Sequence, residues 1–189
     1  MSEEYLVWQT APTLAGIKTG SLFPCQYDSC EELKREIRAV NRAVGRKGLR
    51  LIPLRWREKQ VLLYLYRPER LRADLAAPGA VEILKSEGYD DCREDRCLCE
   101  LTRRLRCFAD FPHEIGLFLS YPPEDVRGFI THRGHESKCA GCWKVYGDAE
   151  RAQKIFRAYK RCTERYCKRK AAGTPLERLA VVGKPAGDV

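Results

Sequence analysis

No apolar run in this 189-residue chain approaches the ~18 residues a membrane-spanning helix needs, so membrane insertion is not expected. Its first eight residues, MSEEYLVW, lack the basic start and long apolar stretch of a secretory signal, so a cytoplasmic protein is expected. The order Gly-x4-Gly-Lys-Ser/Thr is absent, which excludes a phosphate-cradling loop of that type. There is no internal repeat, no low-complexity block and no recognised nucleic-acid-binding motif. Only one CxxC pair occurs, so the paired-CxxC zinc signature is missing.

Much of the rest is ordinary for a folded protein. Hydrophobic residues make up 44% and charged residues 32%, and a chain of this length buries enough surface to fold without disulfides. The ten cysteines are therefore expected to be reduced thiols or metal ligands. The formal charge of +9 would favour polyanions, although acidic residues are mixed with the basic ones almost everywhere.

Periodicity lays out the elements. Residues 10–27 read as a short helix or packed loop. Ser29 followed by Glu32 is a capping box, opening a helix to about Val44 with Leu33, Ile37, Val40 and Val44 on one stripe. Residues 49–57 and 61–67 alternate as two strands joined at Glu58-Lys59. Pro68 suits a helix start, and a second short helix runs up to Gly88. Asp90 and Asp91 open a helix carrying Leu98, Leu101, Leu105 and Phe108 on one face. Residues 115–119 (IGLFL) read as a buried strand, 124–130 as a helix and 142–146 as a strand. Asp148 caps the longest helix, about 149–171, and after Gly173 comes a tail expected to fray.

Strands separated by helical crossovers favour an α/β or α+β fold. The expectation is a single layered domain over 1–189: a mixed β-sheet with an antiparallel hairpin, packed by several helices including the long C-terminal one. Its parts are an N-terminal loop and helix (1–48), hairpin and helices (49–110), a strand, helix, strand and long-helix core (111–173) and the tail (174–189).

The strongest candidate site lies in residues 132–142. His132, His135, Cys139 and Cys142 have H-x2-H-x3-C-x2-C spacing, and imidazole nitrogen with thiolate sulfur is a donor set that zinc or iron takes. Histidines three apart at a helical end share a face. Four protein ligands would leave no open coordination position, so a metal- or thiol-based binding protein is expected from it. The bland alternative is a polar loop. A thioredoxin-like redox pair fits less well, because the residues after Cys142 read as a strand.

Two further readings compete. His113 and Glu114, with Lys144, could serve an enzyme acting on a small anionic ligand, closed over by the loop carrying Thr13, Lys18, Thr19 and Ser21. Adjacent residues on a strand point to opposite faces, however, so the two need not share a site, and the bland alternative is that one caps a turn while the other meets solvent. Alternatively, Arg157, Arg161 and Arg165 on the outer arc of the long helix could contact nucleic acid or an acidic protein partner; a solvated helix face is the ordinary alternative. Cys30, in the first turn of a helix whose dipole favours thiolate, could be reactive; an ordinary reduced cysteine is the bland alternative, and Cys25 belongs to the same N-terminal group.

Three stretches carry a resemblance: residues 12–23 (PTLAGIKTGSLF); residues 111–122 (FPHEIGLFLSYP) with 124–130 (EDVRGFI); and Cys139-x-Gly-x-Trp-Lys-Val-Tyr146, continuing to Tyr159-x-x-Cys-Thr-x-x-Tyr166. Together they resemble the domain-of-unknown-function family 3793 of anaerobic bacteria. The resemblance implies no particular activity. Its pattern has tyrosine where this chain has Cys142, which implies that the second thiol of the CxxC, and with it His132 and His135, is particular to this chain.

Overall fold

The computed structural model describes residues 1–107 and 111–183, so Phe108 and the last tail residues, 184–189, lie outside the described residues. The fold is mixed α+β and divides into two compact units. One unit comprises Met1–Arg70 with Tyr159–Val189, the other Leu71–Ala158.

The first unit begins with helix α1 (Glu3–Leu14), strand β1 (Gly20–Gln26) and helix α2 (Cys30–Val44). A 3-10 turn (Gly45–Lys47), β2 (Arg50–Arg57) and β3 (Gln60–Tyr66) come next. The Ser29 hydroxyl accepts from Glu32 N (3.3 Å), as the capping box predicts, and β2 and β3 form the expected hairpin.

β1, however, joins the other edge of β3, giving an antiparallel sheet in the order β1-β3-β2. Residues 10–27 thus contain a strand where a short helix or packed loop is expected. Pro24 makes the segment look unlike a strand, but an edge strand tolerates a proline on its open side. Pro53 lies on the opposite edge, beside a register shift between Pro53 and Arg55.

Alternation along β3 sends Val61, Leu63 and Leu65 into an apolar core with Leu6 and Leu14 of α1, Phe23 of β1 and the predicted stripe of α2. Tyr64 and Tyr66 occupy the opposite face of β3 and stack with ring centroids 4.9 Å apart. Tyr166, from the C-terminal part of helix α8 (Ala149–Ala171), completes this core with Leu176 and Leu179 of α9 (Leu176–Leu179).

The second unit carries α4 (Pro78–Ser86), α5 (Glu94–Cys107), α6 (Ile115–Phe118) and α7 (Pro123–His132), then the two-residue strands β4 (Cys139–Ala140) and β5 (Lys144–Val145). Helix α3 (Pro68–Ala76) leads into it, and α8 runs from it. The strands expected to share one mixed sheet therefore form two antiparallel sheets among the described residues.

The buried strand expected at 115–119 is instead the helical turn α6. A short apolar run buries equally well as either element. Here, after Pro112, local bonds win: Ile115 N donates to Pro112 O, and Leu117 N to Glu114 O (3.0 Å).

Candidate functional site

The chemistry-bearing residues of the second unit converge where α6, α7 and the β4–β5 hairpin meet. Pro122 and Pro123 stop the preceding turn and start α7, placing Glu124 and Asp125 in its first turn, where carboxylates are favoured. Asp125 is buried, and three N–H groups of one downstream segment converge on it. Trp143 Nε1 donates to Oδ2 (2.7 Å), while the backbone N–H groups of Tyr146 and Gly147 both donate to Oδ1 (2.7 Å each). One carboxylate thus fastens residues 143–147 to α7.

Close approach is permitted by Gly128: a Cβ there would lie 2.4–2.8 Å from ring and Cβ atoms of Tyr146. No larger residue fits beneath that ring.

The fastening orients the hairpin by strand alternation. Trp143 and Val145 turn inward and Lys144 outward, with Tyr146 half-buried. The Trp143 indole stacks on Tyr121 (centroids 4.8 Å apart) and meets Phe156 edge-on at 4.5 Å. Beside it opens a pocket of ≈ 460 Å³, walled by Phe111, Leu119, Tyr121, Val126, Phe129 and Trp143, with His113 and Lys144 supplying polar groups. Burial raises the Tyr121 hydroxyl to about 12, with a smaller contribution from Cys142, so it stays protonated; it donates to Cys142 O (3.1 Å).

His113 and Lys144, two of the expected enzyme residues, line this pocket. The third, Glu114, does not: its buried carboxylate accepts from Tyr89 Oη (3.0 Å) and Arg104 Nη1 (3.4 Å). Burial, reinforced by the Glu114 charge, drives the Tyr89 hydroxyl far above its ordinary range. The Arg104 guanidinium also lies 4.5 Å from the centre of the Tyr89 ring. Glu114 is therefore an internal anchor and no acid–base partner for His113.

The four expected metal ligands are not brought together. Among the described residues, no group of three or more His, Cys, Asp or Glu side chains is arranged to hold a metal ion. The reason is local. α7 ends at His132, and the backbone turns left-handed at Arg133 (φ 48) and Gly134 (φ 78), so His135 leaves the helical face that the two histidines were expected to share.

His132 stacks on Tyr146 with Nδ1 3.0 Å from Glu136 Oε2, while the His135 carbonyl accepts from Tyr146 Oη (2.9 Å). Cys139 sits half-buried opposite Val145 in the hairpin, whereas Cys142 is exposed at its turn.

The remaining sequence candidates are structural or solvated. The Thr13 and Ser21 hydroxyls bond each other (2.9 Å), and both residues are buried with Thr19 in the first unit. Lys18 Nζ lies 5.8 Å from the centre of the Tyr159 ring. Burial raises the Cys25 thiol, while Cys30 is exposed at the start of α2. Arg157, Arg161 and Arg165 are exposed on α8, and no described carboxylate pairs with them.

A family model described as "Protein of unknown function (DUF3793)" matches residues 6–180. The chain belongs to this family. Neither a curated protein nor a solved structure matches it. In this DUF3793 chain the match covers every pocket residue and the Asp125 fastener as well as the core of the first unit. Cys142, where the resemblance expects tyrosine, lies at the exposed hairpin turn next to the buried Trp143. Asp125, Phe129, Tyr89 and Arg104 were not singled out by sequence. The one available signal was for Asp125, an acidic residue in the first turn of a proline-started helix, three residues before a glycine.

Proposed function

We propose that the Leu71–Ala158 unit is a small-molecule binding module, its pocket receiving an organic ligand with a flat apolar body. The carrying observation is the ≈ 460 Å³ pocket with walls of Phe111, Leu119, Tyr121, Val126, Phe129 and Trp143. Ligand sites are typically clefts of roughly 300–1,000 Å³ lined by aromatic and aliphatic groups with a few polar ones. Flat ligands suit such walls, since rings bury large areas and stack favourably. Binding, rather than catalysis, is the function inferred, because the carboxylate adjacent to His113 in sequence is committed to Tyr89 and Arg104.

The test uses 2-naphthol as a neutral probe, titrated by calorimetry into wild type and Ala140→Phe. Ala140 lines the pocket and is exposed on β4, so the added ring fills space without entering the core. Saturable binding to wild type, reduced at least about tenfold in the variant at an unchanged melting temperature, is expected; a tenfold loss corresponds to about 1.4 kcal/mol. Equal affinity for both proteins, or no binding to wild type at millimolar probe, overturns the proposal.

A further inference from the structure

We propose that the natural ligand of this pocket is an organic acid whose carboxylate is held between Lys144 and His113 while its apolar body enters the aromatic cavity. This rests on the reading that the pocket binds a small molecule. It adds the charge and placement of the head group.

The basic groups at the pocket have unspent capacity. Lys144 Nζ donates to Gly134 O (2.5 Å), and no described carboxylate pairs with it. An ammonium has three donors, so further sites remain for an acceptor. The His113 imidazole makes a ring contact with Phe129 (centroids 4.9 Å apart) and no hydrogen bond to another described side chain.

The two groups border the same ring. Gly134 has φ +78, and the position a Cβ would take there lies 3.2 Å from both Lys144 Nζ and Phe129 Cε2. By that geometry, Nζ stands within about 6.5 Å of the Phe129 edge, and His113 meets the same ring edge-on. Gly134 therefore does two things. Its left-handed backbone aims its carbonyl at Nζ, and its missing side chain leaves Nζ room beside Phe129.

The negative groups at the wall, by contrast, are spent. Asp125 lines the pocket, but its two oxygens take three N–H donors from Trp143, Tyr146 and Gly147. Glu114, next to His113 in sequence, is buried against Tyr89 and Arg104. A cationic ligand would find no free carboxylate in this wall. A neutral one would leave Lys144 without a charged partner. A carboxylate matches both basic groups, accepting from the free N–H donors of Lys144 while its apolar body lies against the aromatic wall.

Titrations with 2-naphthoate and the near-isosteric neutral 2-naphthamide test this, on wild type, Lys144→Met and His113→Phe at 0.15 M salt. One charge-assisted hydrogen bond predicts at least about tenfold tighter binding of naphthoate than of the amide to wild type. Lys144→Met is expected to erase that preference, with an unchanged melting temperature showing that the fold is intact. His113→Phe is expected to reduce the preference by a smaller factor.

Equal binding of acid and amide to wild type overturns the carboxylate assignment and leaves the pocket function standing. A preference that survives both substitutions also overturns it. Failure of both probes to bind wild type overturns the pocket function itself. In a parallel arm, 2-naphthyl phosphate binding tighter than naphthoate overturns the choice of a carboxylate over a phosphate.

Discussion

Asp125 shows how much of a site can depend on one side chain that offers nothing to a ligand. Its oxygens hold an indole N–H and two backbone N–H groups inside the protein, each at 2.7 Å. Hydrogen bonds to a charged group contribute more than neutral ones, and buried donors left without an acceptor incur the full desolvation penalty. Asp125→Ala is therefore expected to destabilise the Leu71–Ala158 unit by about 3–5 kcal/mol, from up to three N–H donors left unpaired, measured by urea unfolding followed through Trp143 fluorescence in a Trp8→Phe, Trp56→Phe background. Asp125→Asn, keeping one carbonyl oxygen, is expected to lose less. If Asp125→Ala loses under about 1 kcal/mol, a typical neutral hydrogen bond's worth, the carboxylate does not fasten the hairpin.

That role was half-legible from sequence. The acidic first turn was readable. The partners were not, because Trp143 lies 18 residues away and only the folded path of residues 133–142 decides that the indole comes back to α7. The same path explains why the histidine and cysteine spacing misled. Spacing rules assume a regular helix, and the positive φ angles of Arg133, Gly134 and Glu136 break it at once.

Among the elements, α2 and the β2–β3 hairpin were readable because their apolar periods are clean and their punctuation is conventional: Ser29 at the start of one, Glu58-Lys59 between the others. β1 was not, since edge placement rather than local preference decides whether Pro24 is tolerated. α6 was misjudged because four buried residues carry no period at all.

Helix α5 offers an element-scale test in its charge pattern. Glu100 accepts from Arg103 (2.7 and 2.8 Å) and from Arg104 Nε (2.7 Å), one turn on. The Arg103 hydrogen bonds, then the Arg104 bond, pull its carboxyl down to about 2 against some opposing burial. The folded state thus binds that proton less readily than the unfolded chain. The stabilisation is present above the ordinary glutamate range near ~4.3 and is lost as pH falls through about 2. Because the site is partly solvated, the loss should be about 1 kcal/mol or less. Melting temperatures recorded between pH 5 and 2 should fall less steeply for Glu100→Gln than for wild type. Parallel slopes would show that this carboxylate is not part of the acid response.

At the scale of the molecule, the apolar and charged fractions pointed to a folded chain and the succession of strands and helices to an α/β or α+β fold, while the division into units was hidden because one of them is discontinuous in sequence. Tyr166, Leu176 and Leu179 return to a core begun by Leu6 and Val7, and no local period can announce a contact over that separation. Arg67 closes this unit. It is almost wholly buried, and its guanidinium donates to Thr13 O (2.8 Å), Leu14 O (2.9 Å), Val181 O (3.0 Å) and Lys47 O (3.3 Å). It thereby caps the C-terminal end of α1 and ties that end to the 3-10 turn and to the segment after α9. Carbonyls supply partial rather than full negative charge, so burial lowers the Arg67 pKa to about 10, still well charged at neutral pH. Two substitutions separate shape from bonding. Arg67→Met keeps much of the volume but removes every donor, and about 2–4 kcal/mol of stability should go with it. Arg67→Lys keeps the charge, yet one ammonium with three donors cannot span four carbonyls set around a planar fork, so it should recover less than half of that loss. Hydrogen exchange reads the outcome directly, because the amides of Ala15 and Val181, which donate to Ala11 O and Leu14 O, should lose protection together in both variants. Retained protection at Val181 in Arg67→Met would show that the apolar core alone holds the C-terminal segment, and that the buried guanidinium is tolerated rather than needed.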